Sequence, residues 1–181
     1  MIARTAAKYG AVITTRTSCL DVLREGKRVV GAKVKDHLSG DEINVKAKCT
    51  VMAAGVWTDP LYESFGIKAG YTVRMSKGAH IVVPGNAIKS ETGIIIKTDV
   101  SVLFIIPWGD KWIVGTTDTD YQEDRESPLA SREDVTYIIN QANRVLEPKL
   151  DRSQVLGVFA GLRPLVSTDP DSPTTELSRE H

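Results

Sequence analysis

The amino-acid sequence predicts an α+β chain in two parts, built mainly of antiparallel sheet. Most of its apolar runs are of strand length and are bounded by Gly, Pro, Asn, Asp or Ser. Several are joined by short polar turns, at Glu25-Gly26-Lys27, Ser39-Gly40-Asp41 and Asp110-Lys111, which suit hairpins rather than the long crossovers of a parallel sheet. One longer stretch, opened by Ser131-Arg132-Glu133-Asp134, carries both a capping-box start and a helical apolar stripe.

The elements follow in order. Ile2 to Tyr9 reads as the end of a helix, closed by Gly10 where a left-handed cap favours glycine. Starting in mid-pattern, it suggests a chain that begins inside a larger fold. Ala11 to Thr15 is a strand candidate, and Cys19–Leu23, Val29–Val34 and Ile43–Ala47 form a three-stranded antiparallel meander. In the last of these, Ile43, Val45 and Ala47 alternate with Asn44, Lys46 and Lys48, so one face is wet. Cys49 to Ala54 is apolar without alternation, as expected of a strand buried on both faces of a parallel sheet, and it ends in Gly55. From Tyr71 the sequence turns strand-rich again, with Val73–Val83, Ile94–Lys97, Val102–Ile106 and Trp112–Gly115 forming a second, antiparallel sheet. Val135, Ile138, Ile139, Ala142, Val145 and Leu146 form the stripe of the helix after Ser131, which Pro148 stops. Val155 to Ala160 is a final strand, and Gly161-Leu162-Arg163-Pro164 is its turn, placing a fixed guanidinium just past the sheet. The boundary between the two parts falls between Tyr62 and Tyr71.

Composition narrows the function. The 181 residues are 41% hydrophobic and 25% charged, as in ordinary globular proteins. Lys plus Arg (23) equals Asp plus Glu (23), so no global basic surface invites nucleic acid or an anionic membrane. Cys19 and Cys49 make no disulfide framework and are expected to be buried, inert thiols of a reducing cytosol. No signal peptide is apparent, and apolar runs such as Val102–Ile106 fall far short of the ~20 residues of a membrane span. A cytoplasmic protein is expected.

Five segments, "AAGVWTD", "SKGAHIVVP", "LFIIPWGDKWIVGTTDTDY", "GLRPL" and "LSREH", stand in an order and spacing that resembles the FAD-dependent (aerobic) glycerol-3-phosphate dehydrogenases, over essentially the whole chain. The resemblance implies the C-terminal part of a Rossmann-like FAD-binding domain with its β-meander over residues 1–65, and a substrate-binding domain over 66–181. FAD is the implied cofactor and glycerol 3-phosphate the implied substrate, oxidised to dihydroxyacetone phosphate. A quinone or other electron acceptor is implied as well, with peripheral attachment to the inner face of the cytoplasmic membrane and a homodimer left open. One departure is clear: Gly-x-Gly-x-x-Gly, which would hold the pyrophosphate at a helix N-terminus, occurs nowhere in these residues. The chain is therefore expected to be an internal fragment, supplying mainly the substrate-binding part and inactive when isolated.

The implied reaction needs fixed cations for a phosphate and an acceptor for the C2 hydroxyl proton. Arginine suits the first, because its planar fork keeps its charge and donates in pairs to phosphate. Arg163, restricted by Pro164, is the first candidate, and the resemblance makes Arg179 the second. His80 is the candidate base, since imidazole takes a proton near neutral pH. Of the other histidines, His37 lies in a turn and His181 is terminal. Lys77 would add positive charge beside the substrate. Ala54, Gly55 and Trp57 are the implied flavin contacts. Thr116, Thr117 and Asp118 either shape the pocket or cap a hairpin, and Trp108 is expected to pack. Two other readings stand beside this one: a non-catalytic substrate-domain fragment, and a related flavin-dependent amine or amino-acid oxidase whose arginine grips a carboxylate. No metal site is expected.

Overall fold

The computed structural model describes residues 1–99 and 101–168. Two compact units emerge: Met1–Ala53 with Pro60–Ile67, and Ala54–Asp59 with the chain from Lys68 onward.

In the first unit, helix α1 (Ile2–Lys8) ends at Tyr9, and Gly10 follows at φ +94°, as the cap pattern predicts. Strands β1 (Thr17–Glu25), β2 (Arg28–Asp36) and β3 (Glu42–Lys46) form an antiparallel sheet in that order. Gly31 in β2 sits at φ +153°, where a Cβ would collide with the Val45 carbonyl, so only glycine lets β3 approach there. The segment Pro60–Ile67 joins this unit, and the Arg24 guanidinium donates to the Phe65 carbonyl.

Two strands expected here do not form. Residues 11–15 and 49–54 carry no strand, and Val51 is 81% exposed. A parallel-sheet strand exists only by pairing, and among the described residues no strand pairs with either segment. The same openness corrects the cysteines, since Cys19 and Cys49 are both exposed thiols.

Among the described residues, the second unit is a six-stranded antiparallel sheet backed by one helix. Its strands are β4 (Thr72–Pro84), β5 (Ile94–Lys97), β6 (Val102–Trp108), β7 (Lys111–Gly115), β8 (Thr119–Tyr121) and β9 (Gly157–Ser167). The long strand β4 organises it, pairing with β7 and β8 along one edge and with β9 along the other. The β6–β7 hairpin turns at Gly109-Asp110, one residue earlier than expected, with Gly109 at φ +60°. Trp108, expected to pack, is 67% exposed beside that turn.

Helix α3 (Arg132–Ala142; α2, Thr58–Ser64, precedes the sheet) starts at a complete capping box, in which Ser131 and Asp134 exchange hydrogen bonds. Its Val135, Ile138 and Ala142 join Ala79, Ile81 and Val83 of β4, Leu103 and Ile105 of β6 and Val114 of β7 in the main core. The helix stops at Ala142, well before Pro148. The Asn143 side chain bonds both the backbone N–H and the carbonyl of Leu150, which draws the chain out of helical register and leaves Val145 exposed.

The largest correction concerns β9. It does not end at Gly161 but runs through Leu162-Arg163-Pro164 to Ser167, paired with β4 throughout. Among the described residues β9 pairs with β4 alone, and an edge strand tolerates proline because one side of its ladder needs no donor. Arg163 is therefore mid-strand, not beyond the sheet.

Candidate functional site

Alternation along β4 divides its side chains between two faces. Ala79, Ile81 and Val83 turn to α3, so Ser76, Gly78 and His80 turn to the opposite face. The antiparallel register sets Arg163 opposite Ser76, Gly161 opposite Gly78 and Phe159 opposite His80, while on the other side Gly115 stands opposite His80. Directly paired residues share a face. Gly78, His80, Phe159, Gly161 and Arg163 line a cleft of ≈ 260 Å³ on that face.

Within it, Arg163 is fixed by hydrogen bonds from its Nη atoms. Nη2 donates to Thr116 Oγ1 at 2.8 Å, and Nη1 donates to the Thr117 carbonyl at 3.3 Å and to Ser76 Oγ at 3.4 Å. The Thr117 hydroxyl accepts from the Ala79 N–H at 2.9 Å, tying this loop to β4. The guanidinium lies across Gly78, where a Cβ would collide with Arg163 and with Thr116 Oγ1. Gly115 plays the same part for His80, whose ring occupies the place of its missing side chain.

The His80 ring stacks on Phe159 with centroids 4.8 Å apart and planes 8° from parallel. Its Nδ1 is buried without a hydrogen-bond partner. Burial first, and the nearby Arg163 charge second, hold its pKa below the ordinary histidine value, so the neutral imidazole is favoured. A neutral imidazole beside a fixed guanidinium can take a proton while an anion is held next to it.

Not every expected residue joins this cleft. Lys77 is turned to the α3 face and buried there, its Nζ 2.7 Å from Asp134 Oδ2 and 3.3 Å from the Leu129 carbonyl it donates to. Burial pulls the Asp134 pKa up, but hydrogen bonds from Lys77 and the Ser131 N–H outweigh it and leave the net shift downward. Lys77, expected as a substrate ligand, therefore does not share the cleft with His80 and Arg163: the period-2 alternation that brings Ser76 and His80 together turns the residue between them to the other face. Ala54, Gly55 and Trp57 do not line the cleft either. They form a single 3-10 turn with its N-cap, in which Gly55 stands at φ +58° and Trp57 is 43% exposed. Arg179 and His181 lie outside the described residues.

The residues missed from sequence are Ser76, Gly78, Gly115 and Phe159. A period-2 signal pointed to the first two, since Ser76, Gly78 and His80 alternate along "SKGAH". Gly115 and Phe159 reach the site only through strand register, which the sequence does not display.

A family model described as FAD dependent oxidoreductase matches residues 1–176, and the chain belongs to that family. Within it the similarity is to glycerol-3-phosphate dehydrogenases. That of Mycobacterium leprae (strain TN) is 44% identical over 180 residues, covering 99% of this chain and 31% of that protein. The mitochondrial glycerol-3-phosphate dehydrogenase of Homo sapiens is 37% identical over 191 residues, covering 99% of this chain and 26% of that protein. This chain thus spans about a third or less of the length of these relatives. Among solved structures, glycerol-3-phosphate dehydrogenase from Bacillus halodurans complexed with FAD superposes with a TM-score of 0.81 at 34% identity, over 93% of this chain and 34% of that one. Glycine oxidase from Bacillus cereus ATCC 14579 shares the fold, with a TM-score of 0.67 at 24% identity over 91% of this chain and 42% of that one.

Proposed function

We propose that this chain supplies the substrate-binding part of a flavin-dependent oxidation of sn-glycerol 3-phosphate to dihydroxyacetone phosphate. Residues 1–65 are read as the C-terminal part of the FAD-binding domain and 66–181 as the substrate-binding domain. The observation that carries the proposal is the pairing of an oriented guanidinium with a neutral imidazole on one sheet face. Arg163 holds the substrate phosphate, whose charge its planar fork matches in pairs. His80 takes the C2 hydroxyl proton, and its otherwise unpartnered Nδ1 marks a ring with unused hydrogen-bonding capacity. Arg179 is assigned as the second cation by its place in "LSREH" alone.

The residues proposed to meet FAD fit a flat cofactor approaching the backbone. A Cβ on Gly55 would meet nothing closer than Pro164 Cγ at 4.0 Å. Ala54, Gly55 and Trp57 are assigned to hold it, and the bound flavin supplies the hydride acceptor for C2. A quinone is proposed as the onward acceptor.

Anaerobic mixing of the FAD-loaded full-length protein with glycerol 3-phosphate tests this. Bleaching of the flavin absorbance by glycerol 3-phosphate, and not by glycine or other amino acids, is expected. Bleaching by amino acids alone would establish the amine-oxidase reading instead. Unchanged flavin with retained glycerol 3-phosphate binding would leave a binding module.

A further inference from the structure

We propose that Ser76 and Asp118 are positioning residues that hold the Arg163 guanidinium in its anion-gripping orientation, an inference that rests on reading Arg163 as the anion ligand. Behind Arg163 stands a directed chain of polar groups. Ser76 is fully buried, and its hydroxyl donates to Asp118 Oδ1 in a short contact. An ionised carboxylate only accepts, so the single Ser76 proton is committed to Asp118 and an oxygen lone pair is left for Arg163 Nη1.

Thr116 is fixed by the same logic. Its hydroxyl donates to the Thr117 carbonyl at 3.0 Å, which leaves its oxygen to accept from Nη2. Both hydroxyls that meet the guanidinium are thus oriented as acceptors by a group beyond them. The Ser76 arm differs in ending on an anion. A charged terminus strengthens the hydrogen bonds in series with it and places a counter-charge one residue behind the cation. Thr116 and the Thr117 carbonyl locate the guanidinium at the loop, and the Asp118–Ser76 arm fixes its rotation against β4.

The sequence carries this arrangement across two strands. Ser76 precedes Gly78 and His80 on one face of β4, and Asp118 follows Thr116-Thr117 after β7. Asp118 therefore does not merely cap a hairpin.

Two readings on isotope-labelled chain test the inference. Guanidinium NMR reports rotation about the Arg163 Nε–Cζ bond, with Arg163→Lys assigning the signal. Separate Nη1 and Nη2 signals are expected in the wild type and in Ser76→Thr, which keeps the hydroxyl. Averaged signals are expected in Ser76→Ala and in Asp118→Asn. Calorimetric titration with glycerol 3-phosphate is expected to weaken about tenfold in each of the last two, with no further loss in the double variant, because both cut one chain. Unfolding temperature checks the fold, and the partly exposed Asp118→Asn serves if the buried Ser76→Ala is too unstable to study. Unchanged Arg163 signals in a folded Asp118→Asn would overturn the inference. Averaged signals in the variants together with an affinity that Arg163→Ala leaves untouched would uphold the positioning and refute Arg163 as the anion ligand.

Discussion

Gly78→Ala is the sharpest probe of how the site is built. The backbone at Gly78 is not left-handed, so alanine can adopt it, and on an open strand the change would stabilise by about 0.4–1 kcal/mol through the unfolded state. Here the added methyl would lie 2.6 Å from Thr116 Oγ1 and 2.8 Å from Arg163 Cζ. Overpacking of this kind costs about 1–3 kcal/mol. Driving Arg163 aside also removes its 2.8 Å bond to Thr116, and bonds to charged groups contribute about 1.5–3 kcal/mol. After the unfolded-state gain, a net loss of about 1–3 kcal/mol remains once water re-solvates the displaced guanidinium. In a chain of this size that lowers the unfolding temperature by roughly 2–12 °C. Differential scanning calorimetry of Gly78→Ala, Arg163→Ala and the double variant is the assay. Truncating Arg163 removes two of the three atoms nearest the added methyl, so the cost should shrink by about 1 kcal/mol or more in that background. Equal costs in both backgrounds, or a stabilised Gly78→Ala, would refute the packing argument.

Other outcomes follow from the same contacts. Lys77→Met should destabilise by about 3–5 kcal/mol, because it strands the buried Asp134 carboxylate, while leaving glycerol 3-phosphate affinity unchanged by calorimetry. A fall in affinity without a fall in stability would return Lys77 to the site. His80, with its folded pKa depressed, binds a proton more readily in the unfolded chain, so stability should decline as pH drops below about 6.5. His80→Gln should flatten that part of a stability–pH curve, and superimposable curves would contradict the assignment. Both Cys19 and Cys49 should react with a thiol reagent in native buffer, and a requirement for denaturant would contradict their exposure.

Local chemistry was legible in the sequence wherever a single element decided it. The capping box at Ser131, the cap at Gly10 and the strands around Ile94–Lys97 and Val102–Ile106 all stand where turn and period signals put them. Pairing partners were not legible. Gly161 and Pro164 read as a strand end, yet β4 supplies a ladder long enough to carry β9 through them. Cys49 to Ala54 read as a buried strand, yet the apolar run pairs with no strand among the described residues. Lys77 shows the same limit from the other side. Its closeness to His80 in sequence suggested a shared site, and strand alternation separates them. His80 and Arg163 were visible as residue types, whereas the glycines that make room for them become meaningful only once strand register brings the pairs together.

The central claim is that Arg163 binds the phosphate of the substrate beside His80. Isothermal titration of glycerol 3-phosphate into the wild type and Arg163→Ala tests it most directly, with glycerol as the phosphate-free control. Measurable wild-type affinity that falls at least about tenfold in Arg163→Ala, with no binding of glycerol, is the predicted result. Equal affinity in the two proteins, or glycerol bound as tightly as its phosphate ester, would contradict it.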